Sequence, residues 1–393
     1  MRETGSGRSY LQMNDHTLEE FIRQYIEAQT QPQVLFIWHG GEPLLRPIGF
    51  YKRVLALQQR YARGRHIDNC LQTNGTLLTD EWCAFFRENN WLIGISIDGP
   101  QKLHDEYRRS GQRFQALQDK GGRPSFHEVM RGIRLLQKHG VEWNAMGVVN
   151  NINAENPLDV YHFYKEIGCQ YIQFTPIVER LLPHADGRHL ASPSEGQPST
   201  ANCKQWAMNC PLAPFSVRPG QYARFCCTIF NEWVRHDVGK VFVQLFDSTL
   251  ARWAGEEAGL CSMGETCGQS AVIEANGDVY SCDHYVFPEY RLGNIHTDTI
   301  TSMMYGERQH RFGLAKRTTL PGQCLTCQWL FACNGGCPKD RFVTTPEGDH
   351  HLNYLCEDYR QFFAHVAPYM EYMKHELLHQ RPPANVMKQF SNN

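Results

Sequence analysis

Eight cysteines between positions 261 and 356 constrain this chain more than any other feature of its sequence. Five residues separate Cys261 from Cys267, and fourteen separate Cys267 from Cys282. Cys324-x2-Cys327-x5-Cys333-x3-Cys337 follows, and Cys356 closes the set. Eight thiols at ligand spacing make two four-cysteine sites, and tetrahedral sulfur suits zinc or iron–sulfur clusters, a choice the spacing leaves open. Asn276-Gly277, flanked by Ala271–Ala275 and Asp278–Cys282, is a two-residue hairpin signal. That register places Cys282 opposite Ala271 and brings Cys267 near it. The other seven cysteines, at 70, 83, 169, 203, 210, 226 and 227, have no ligand-like spacing, Cys203 and Cys210 being the nearest to it. Those in periodic segments, such as Cys226, read as small core hydrophobes.

The reduced state that such ligands require agrees with the rest of the sequence. The start has no apolar leader, which leads us to expect a cytoplasmic chain with reduced thiols. The longest apolar runs, such as Val34–Trp38, fall far short of the ~18 to 20 residues of a membrane span. With 39 Lys+Arg against 41 Asp+Glu there is no electrostatic basis for nucleic-acid or membrane binding.

Ahead of the cysteines, from Val34 to Pro176, short β-branched runs alternate with stretches of helical period, the rhythm of βα units. The strands expected are Val34–Trp38, Asn69–Gln72, Leu92–Ile97, Glu142–Asn150 and Tyr171–Pro176, each buried on both faces, with a further one at Val241–Leu245. The clearest helix is Ser125–Lys138, with Phe126, Val129, Met130, Ile133 and Leu136 on one face and Ser125 as its N-cap. A second runs from Tyr222 to His236. Parallel βα units put function at the strand C-termini, where His39-Gly40-Gly41-Glu42-Pro43, Gln72-Thr73-Asn74-Gly75 and Asp98-Gly99-Pro100 lie. Residues 181–218 have no period and read as a loop over that rim.

The rim motif Gly40-Gly41-Glu42-Pro43 and the eight-cysteine tail together resemble the radical S-adenosylmethionine (SAM) enzymes with a SPASM domain, and among them the anaerobic sulfatase-maturating enzymes. The similarity runs from about Thr17 to Tyr372. It includes Gln72-Thr73-Asn74-Gly75, Ser96-Ile97-Asp98-Gly99-Pro100, His104, Arg108, Cys282-Asp283, Arg291-Leu292-Gly293-Asn294-Ile295 and Asn334-Gly335-Gly336-Cys337-Pro338. This resemblance implies an α/β fold, a partial (β/α)6 barrel over residues 1–245 with the loop insertion at 181–218. A cysteine-rich SPASM domain at 246–375 and a tail at 376–393 would follow. It displaces zinc in favour of two auxiliary 4Fe-4S clusters, one held by Cys261, Cys267, Cys282 and Cys337, the other by Cys324, Cys327, Cys333 and Cys356. SAM would meet His39, Gly40, Gly41, Glu42, Ser96, Arg108 and Val178, and Asp283 would be the catalytic base. The implied reaction oxidises a Cys or Ser of an unfolded sulfatase peptide, or of another peptide, to formylglycine through a 5′-deoxyadenosyl radical. Ferredoxin or flavodoxin would serve as reductant.

The sequence departs from that family in two places. The Cys-x3-Cys-x2-Cys triplet of the radical cluster is absent, the first cysteine being Cys70, and the five strands are one short, the first being missing. Without the triplet the chain as written is expected to be inactive, and Val34–Trp38 is left as an apolar sheet edge. Truncation or a misassigned start explains this, as does a degenerate, non-catalytic homologue that binds peptide or relays electrons. The intact auxiliary set and Asp283 favour the former. His39 stands where the family's nearest members carry Gln; an imidazole can also donate a hydrogen bond.

Overall fold

The computed structural model describes residues 12–110, 122–184, 187–190 and 211–390. Its centre is a six-stranded, all-parallel sheet: β1 (Gln33–Trp38), β2 (His66–Thr73), β3 (Leu92–Ser96), β4 (Trp143–Val149), β5 (Tyr171–Pro176) and β6 (Phe242–Val243), paired in that order. Helices α1 (Asp15–Ala28), α2 (Ile48–Tyr61), α3 (Asp80–Glu88), α4 (Gln101–Tyr107), α5 (Phe126–His139) and α6 (Pro157–Glu166) alternate with the strands. The strands expected from the sequence are all present, and the sheet numbers six strands rather than the five counted, because Phe242–Val243 pairs with β5 at the end opposite β1. The last is shorter than Val241–Leu245, because Leu245, Phe246, Thr249 and Trp253 recur at helical spacing and a helix begins at Gln244.

The strands are not buried on both faces. Val34 and Phe36 of β1 are 2% exposed while Leu35 and Ile37 are 43% and 62% exposed. One face packs under the helices. The other lines a cavity of about 2050 Å³, into which Ile37, Gln72, Gly94, Ser96, Met146 and Gln173 also face. β1 is an edge strand, as expected: among the described residues none pairs with its free side.

The outer layer follows from sequence period. Leu18, Ile22 and Ile26 of α1 recur every four residues and are fully buried, as are Val129, Ile133 and Leu136 of α5. Ser125 sits at the N-cap of α5 but makes no capping hydrogen bond. Its backbone is already helical (φ −104°, ψ −8°) and its hydroxyl is turned to the Arg108 carbonyl (2.8 Å), while Asp105 accepts from the Phe126 N–H (3.0 Å). The expected loop at 181–218 is only partly described; within it, Leu181–His184 and Gly187–Leu190 form a short antiparallel hairpin.

Beyond α7 (Gln221–His236) and α8 (Gln244–Ala254), the cysteine-rich part holds a three-stranded antiparallel sheet of Val272–Ile273, Asp278–Tyr280 and Arg291–Asn294. Its first hairpin differs from the sequence expectation by one residue. Val272 pairs with Tyr280 and Ile273 with Val279, and the Glu274 N–H bonds the Asp278 carbonyl. Ala275, Asn276 and Gly277 thus form a three-residue loop, closed by a bond from the Gly277 N–H to the Glu274 carbonyl. Gly277 takes the left-handed position (φ 86°) that such loops require. By this register Cys282 falls across from Ser270, not Ala271.

Two longer helices follow, α9 (Glu307–Thr318) and α10 (Cys356–Leu378), among shorter ones. Asp358 of α10 accepts from the N–H groups of Gly220 (3.1 Å) and Ala223 (2.9 Å), capping α7 with a carboxylate where the helix dipole favours one. Phe362, Phe363, Val366, Met370 and Met373 of α10 join the core built by the sheet and its helices. The stretch expected as a tail at 376–393 turns back after Leu378, with Val386 fully buried and Phe390 against Tyr369. No helix among the described residues is long and apolar enough to cross a membrane.

Helix α5 packs closest to the rim at Gly132, where a Cβ would lie 2.4 Å from the Gly75 carbonyl oxygen. Gly132→Ala should therefore lower stability by about 1–2 kcal/mol in urea unfolding, since overpacking outweighs the gain in helix propensity. An unchanged midpoint would show that the turn yields freely.

Candidate functional site

The cavity opens at the C-terminal ends of the strands. Glu42 leaves β1 with its carboxylate held three ways, by the Thr73 hydroxyl (2.7 Å), the Asn74 N–H (2.9 Å) and the Leu44 N–H (3.0 Å). The turn after β1 is thus tied to the turn after β2. Gly40 adopts φ +146° with open space around its missing Cβ, so a ligand can approach the backbone there. Deeper in, Gln72 donates to Ser96 (3.0 Å) across β3. It can lie flat because residue 94 is glycine: a Cβ there would meet the Gln72 Oε1 at 2.0 Å.

Arg108 is positioned by Asp98. Its Nε donates to Asp98 Oδ2 (2.6 Å), while Oδ1 accepts from the Val148 N–H (2.8 Å). Asp98 is almost fully buried, and about a quarter of the Arg108 side chain remains exposed towards the cavity. His104 lies beneath this pair, fully buried. Its Nδ1 accepts from the Asp98 N–H (3.3 Å), and its Nε2 lies 3.0 Å from Ser125 Oγ, whose own proton goes to Arg108 O. Neutral His104 with its proton on Nε2 satisfies every contact, and burial pushes its pKa down to about 4.

Asp283, from the cysteine-rich part, lines the same cavity as Glu42, Ser96 and Arg108. Burial opposes its charge, but His284, a hydrogen bond from the Cys282 thiol (3.1 Å) and His39 together hold the carboxyl below its usual value. His39 and the Gly40–Gly41 backbone also face the cavity. Val178 does not: it is 3% exposed, and its carbonyl accepts from Lys339 Nζ (2.8 Å).

The eight cysteines fall into two groups in space. Cys267 lies in the field of Cys261, and Cys337 in that of Cys267; Cys282 lies in that of Cys337. Cys333 and Cys356 feel each other's surroundings through Cys324 and Cys327. Burial pushes the Cys333 and Cys337 thiols up to about 12 and Cys356 to about 11, so they stay protonated until a metal draws the proton off. Among the described residues no three His, Cys, Asp or Glu side chains meet closely enough to hold one metal ion. Cys83, Cys169 and Cys226 are buried core residues, as expected; Cys203 and Cys210 lie outside the described residues.

Comparison with known proteins follows this geometry. The Radical SAM superfamily model matches residues 4–164, and an iron-sulfur cluster-binding domain model matches 261–328. A serine-type anaerobic sulfatase-maturating enzyme of Bacteroides thetaiotaomicron is 61% identical over 376 residues, 96% of this chain and 86% of the relative. The chain belongs to the anaerobic sulfatase-maturating enzymes. A cysteine-type member from Clostridium perfringens is 29% identical, over 92% of this chain and 88% of its own. A solved structure described as native anSMEcpe with bound AdoMet and Kp18Cys peptide superposes with a TM-score of 0.78 at 28% identity, covering 95% of this chain and 94% of that one. This is a radical SAM oxidoreductase family, with SAM and iron–sulfur clusters as cofactors.

Sequence reasoning passed over the residues that hold the named ones. Thr73 fixes Glu42 and Lys339 occupies the Val178 carbonyl, while Lys316 and Arg341, 1% and 2% exposed, lie among the cysteines. No spacing marks a buried cation, so nothing in the sequence distinguished these from surface charges.

Two outcomes check this description. A histidine with a folded value near 4 and an ordinary value of 6.5 stabilises the fold above pH 6.5, and that contribution is lost as pH falls towards 4. The loss should be about 3 kcal/mol in urea unfolding, and His104→Gln should flatten this part of the profile. Asp98→Ala should lower stability by about 3 kcal/mol, at the low end for a broken buried pair because Arg108 keeps some solvent. A loss below ~1 kcal/mol would show the pair to be no stronger than a surface one.

Proposed function

We propose that this chain is the SAM- and peptide-binding body of a sulfatase-maturating enzyme acting on a serine-type sulfatase segment. The observation that carries this reading is that Asp283 shares one cavity with Glu42, Ser96 and Arg108. The 61% identity to the serine-type relative supports serine over cysteine as the substrate side chain. In the proposal Glu42, fixed by Thr73 and the Asn74 N–H, accepts the amino end of SAM, and the Gly40–Gly41 backbone lies along it. Ser96 and the exposed edge of Arg108 contact the remainder. His39, at the mouth, offers a ring N–H where the family carries Gln. Val178, with its carbonyl taken by Lys339, can offer only its N–H.

The match of residues 261–328 to an iron-sulfur cluster-binding domain supports a multi-iron cluster at each cysteine group, every thiolate binding a different iron. Cys261, Cys267, Cys282 and Cys337 would hold one, and Cys324, Cys327, Cys333 and Cys356 the other. When bound, SAM and the clusters supply hydrogen abstraction and electron transfer. Asp283, kept ionised, takes the proton of the substrate hydroxyl, and the cavity walls exclude water from the aldehyde that forms. The domain division at residues 245/246 and 375/376, a cytoplasmic setting, and a ferredoxin or flavodoxin as electron partner complete the reading.

One observation favours a second reading, a non-catalytic iron–sulfur protein that binds peptide or relays electrons: no Cys-x3-Cys-x2-Cys occurs in these 393 residues. Anaerobic reconstitution decides between them. The chain should take up about eight irons with equal sulfide, bind SAM, bind a Ser-x-Pro-x-Arg peptide, and yield no 5′-deoxyadenosine by itself. Zinc without sulfide would defeat both readings. Formation of 5′-deoxyadenosine and formylglycine by the chain as given would remove the second, and Asp283→Asn should then lower formylglycine at least 100-fold while leaving SAM cleavage in place.

A further inference from the structure

Two cations lie at the centre of the cysteine-rich part with no anion beside them. Arg341 is 2% exposed and spends its guanidinium entirely on backbone carbonyls: Nε on Gly335 (2.9 Å), Nη2 on Asn334 (2.7 Å) and Gly336 (3.3 Å), Nη1 on Lys316. Lys316 is 1% exposed, and its Nζ donates to the carbonyls of Cys261 (2.7 Å) and Ser262 (2.9 Å). Among the described residues neither cation makes a salt bridge. This is unusual, because a buried charge without a counter-charge costs several kcal/mol, and carbonyl dipoles offset only part of that.

The fold goes to some length to hold Arg341 there. The segment between Cys333 and Cys337 takes three successive left-handed residues, Asn334 (φ 45°), Gly335 (φ 72°) and Gly336 (φ 64°), and all three direct their carbonyls at the guanidinium. Only glycine fits at 335, where a Cβ would come within 2.5 Å of Arg341 Nη2. Cys333 belongs to one cysteine group and Cys337 to the other, so the strand of chain that links the two sites is wrapped around this side chain. The thiols whose fields reach Arg341 come from both groups: Cys324 and Cys333 from one, Cys267 and Cys337 from the other. The thiols that weigh most on Lys316 are Cys267, Cys337 and Cys261, all from a single group, alongside the neighbouring Arg341 guanidinium, and its Nζ sits on the Cys261 carbonyl.

We propose that Arg341 and Lys316 are the fixed counter-charges of the two cluster sites, Arg341 shared between both and Lys316 serving only the site of Cys261, Cys267, Cys282 and Cys337. They are positioning residues, four and more residues from any cysteine ligand in the case of Arg341, and their partners are the thiolates and the net negative charge that bound clusters carry. A fixed cation stabilises the reduced, more negative form of a cluster, so each raises the potential of the site it faces. Arg341 raises both potentials together, and Lys316 offsets them, favouring electron residence at the first site. The inference rests on the cluster assignment proposed above and is tested separately from it.

The test is an EPR-monitored redox titration of the full chain after anaerobic reconstitution, alongside iron and sulfide counts, for wild type, Arg341→Gln, Arg341→Lys and Lys316→Gln. Wild-type iron and sulfide report on the cluster assignment, and a chain that takes up neither overturns both readings. Given clusters, Arg341→Gln should make both couples harder to reduce by about tenfold at a fixed potential, ~59 mV for one electron. Lys316→Gln should do so for one couple only, and Arg341→Lys should stay near wild type. Unchanged couples in an Arg341→Gln protein with full iron, or equal shifts of both couples in Lys316→Gln, would overturn the proposal. Should Arg341→Gln lose iron, Arg341→Lys decides: retained iron with near wild-type couples supports the role of charge, whereas loss of iron there too shows that Arg341 matters only for its hydrogen-bond fork.

Discussion

Asp98 has every polar atom in use, and the rim of the sheet depends on it. Its N–H reaches His104, its carbonyl accepts from Asn153 (3.1 Å), Oδ1 accepts from Val148 and Oδ2 from Arg108. These four bonds join the end of β3 to β4, to α4 and to the turn after β4. A parallel sheet has no hairpins to hold its C-terminal loops in place, so the loops must be tied to one another. Here one buried carboxylate ties three of them and aims Arg108 into the cavity. Glu42 performs the same task between the turns after β1 and β2.

The opposite wall of the cavity comes from the cysteine-rich part, and the two parts share one core. Asp358 caps α7, and the apolar face of α10 packs against the same helix and α8. Lys339 pairs with Glu179 (3.3 Å) and bonds the Val178 carbonyl, a second link at the rim. Asp283 therefore stands over the cavity on a rigid support, three residues after the hairpin strand that ends at Tyr280 and one after Cys282. A group that must meet a substrate proton at hydrogen-bond distance needs this kind of attachment.

Much of the fold was legible in the sequence because its signals are local. The apolar runs at Val34–Trp38 and Tyr171–Pro176 are strands at nearly those limits, and the three-and-four spacing from Val129 to Leu136 is a helix. The misreadings were non-local. The strands alternate because their inner face meets a cavity, which no period within a strand reveals. Ser125 does not cap α5 because its backbone is already in the helical region and its hydroxyl is turned to His104 and the Arg108 carbonyl. The hairpin register slipped by one because Gly277 was assigned to a two-residue turn, whereas the bond from Glu274 to Asp278 makes the loop three residues long.

The cysteine spacing by itself pointed to two four-thiol sites, since ligand intervals along a chain are a property of sequence. The rim motifs likewise announced themselves, because glycine and acidic residues at strand ends are recognisable one turn at a time. Only the tertiary structure decided what surrounds those groups: Asp98 beneath Arg108, Lys339 on the Val178 carbonyl, and Arg341 and Lys316 without anions among the thiols. The reason is physical. The energy of a charge depends on its burial and on partners many residues away, and neither quantity is written in the order of the residues near it.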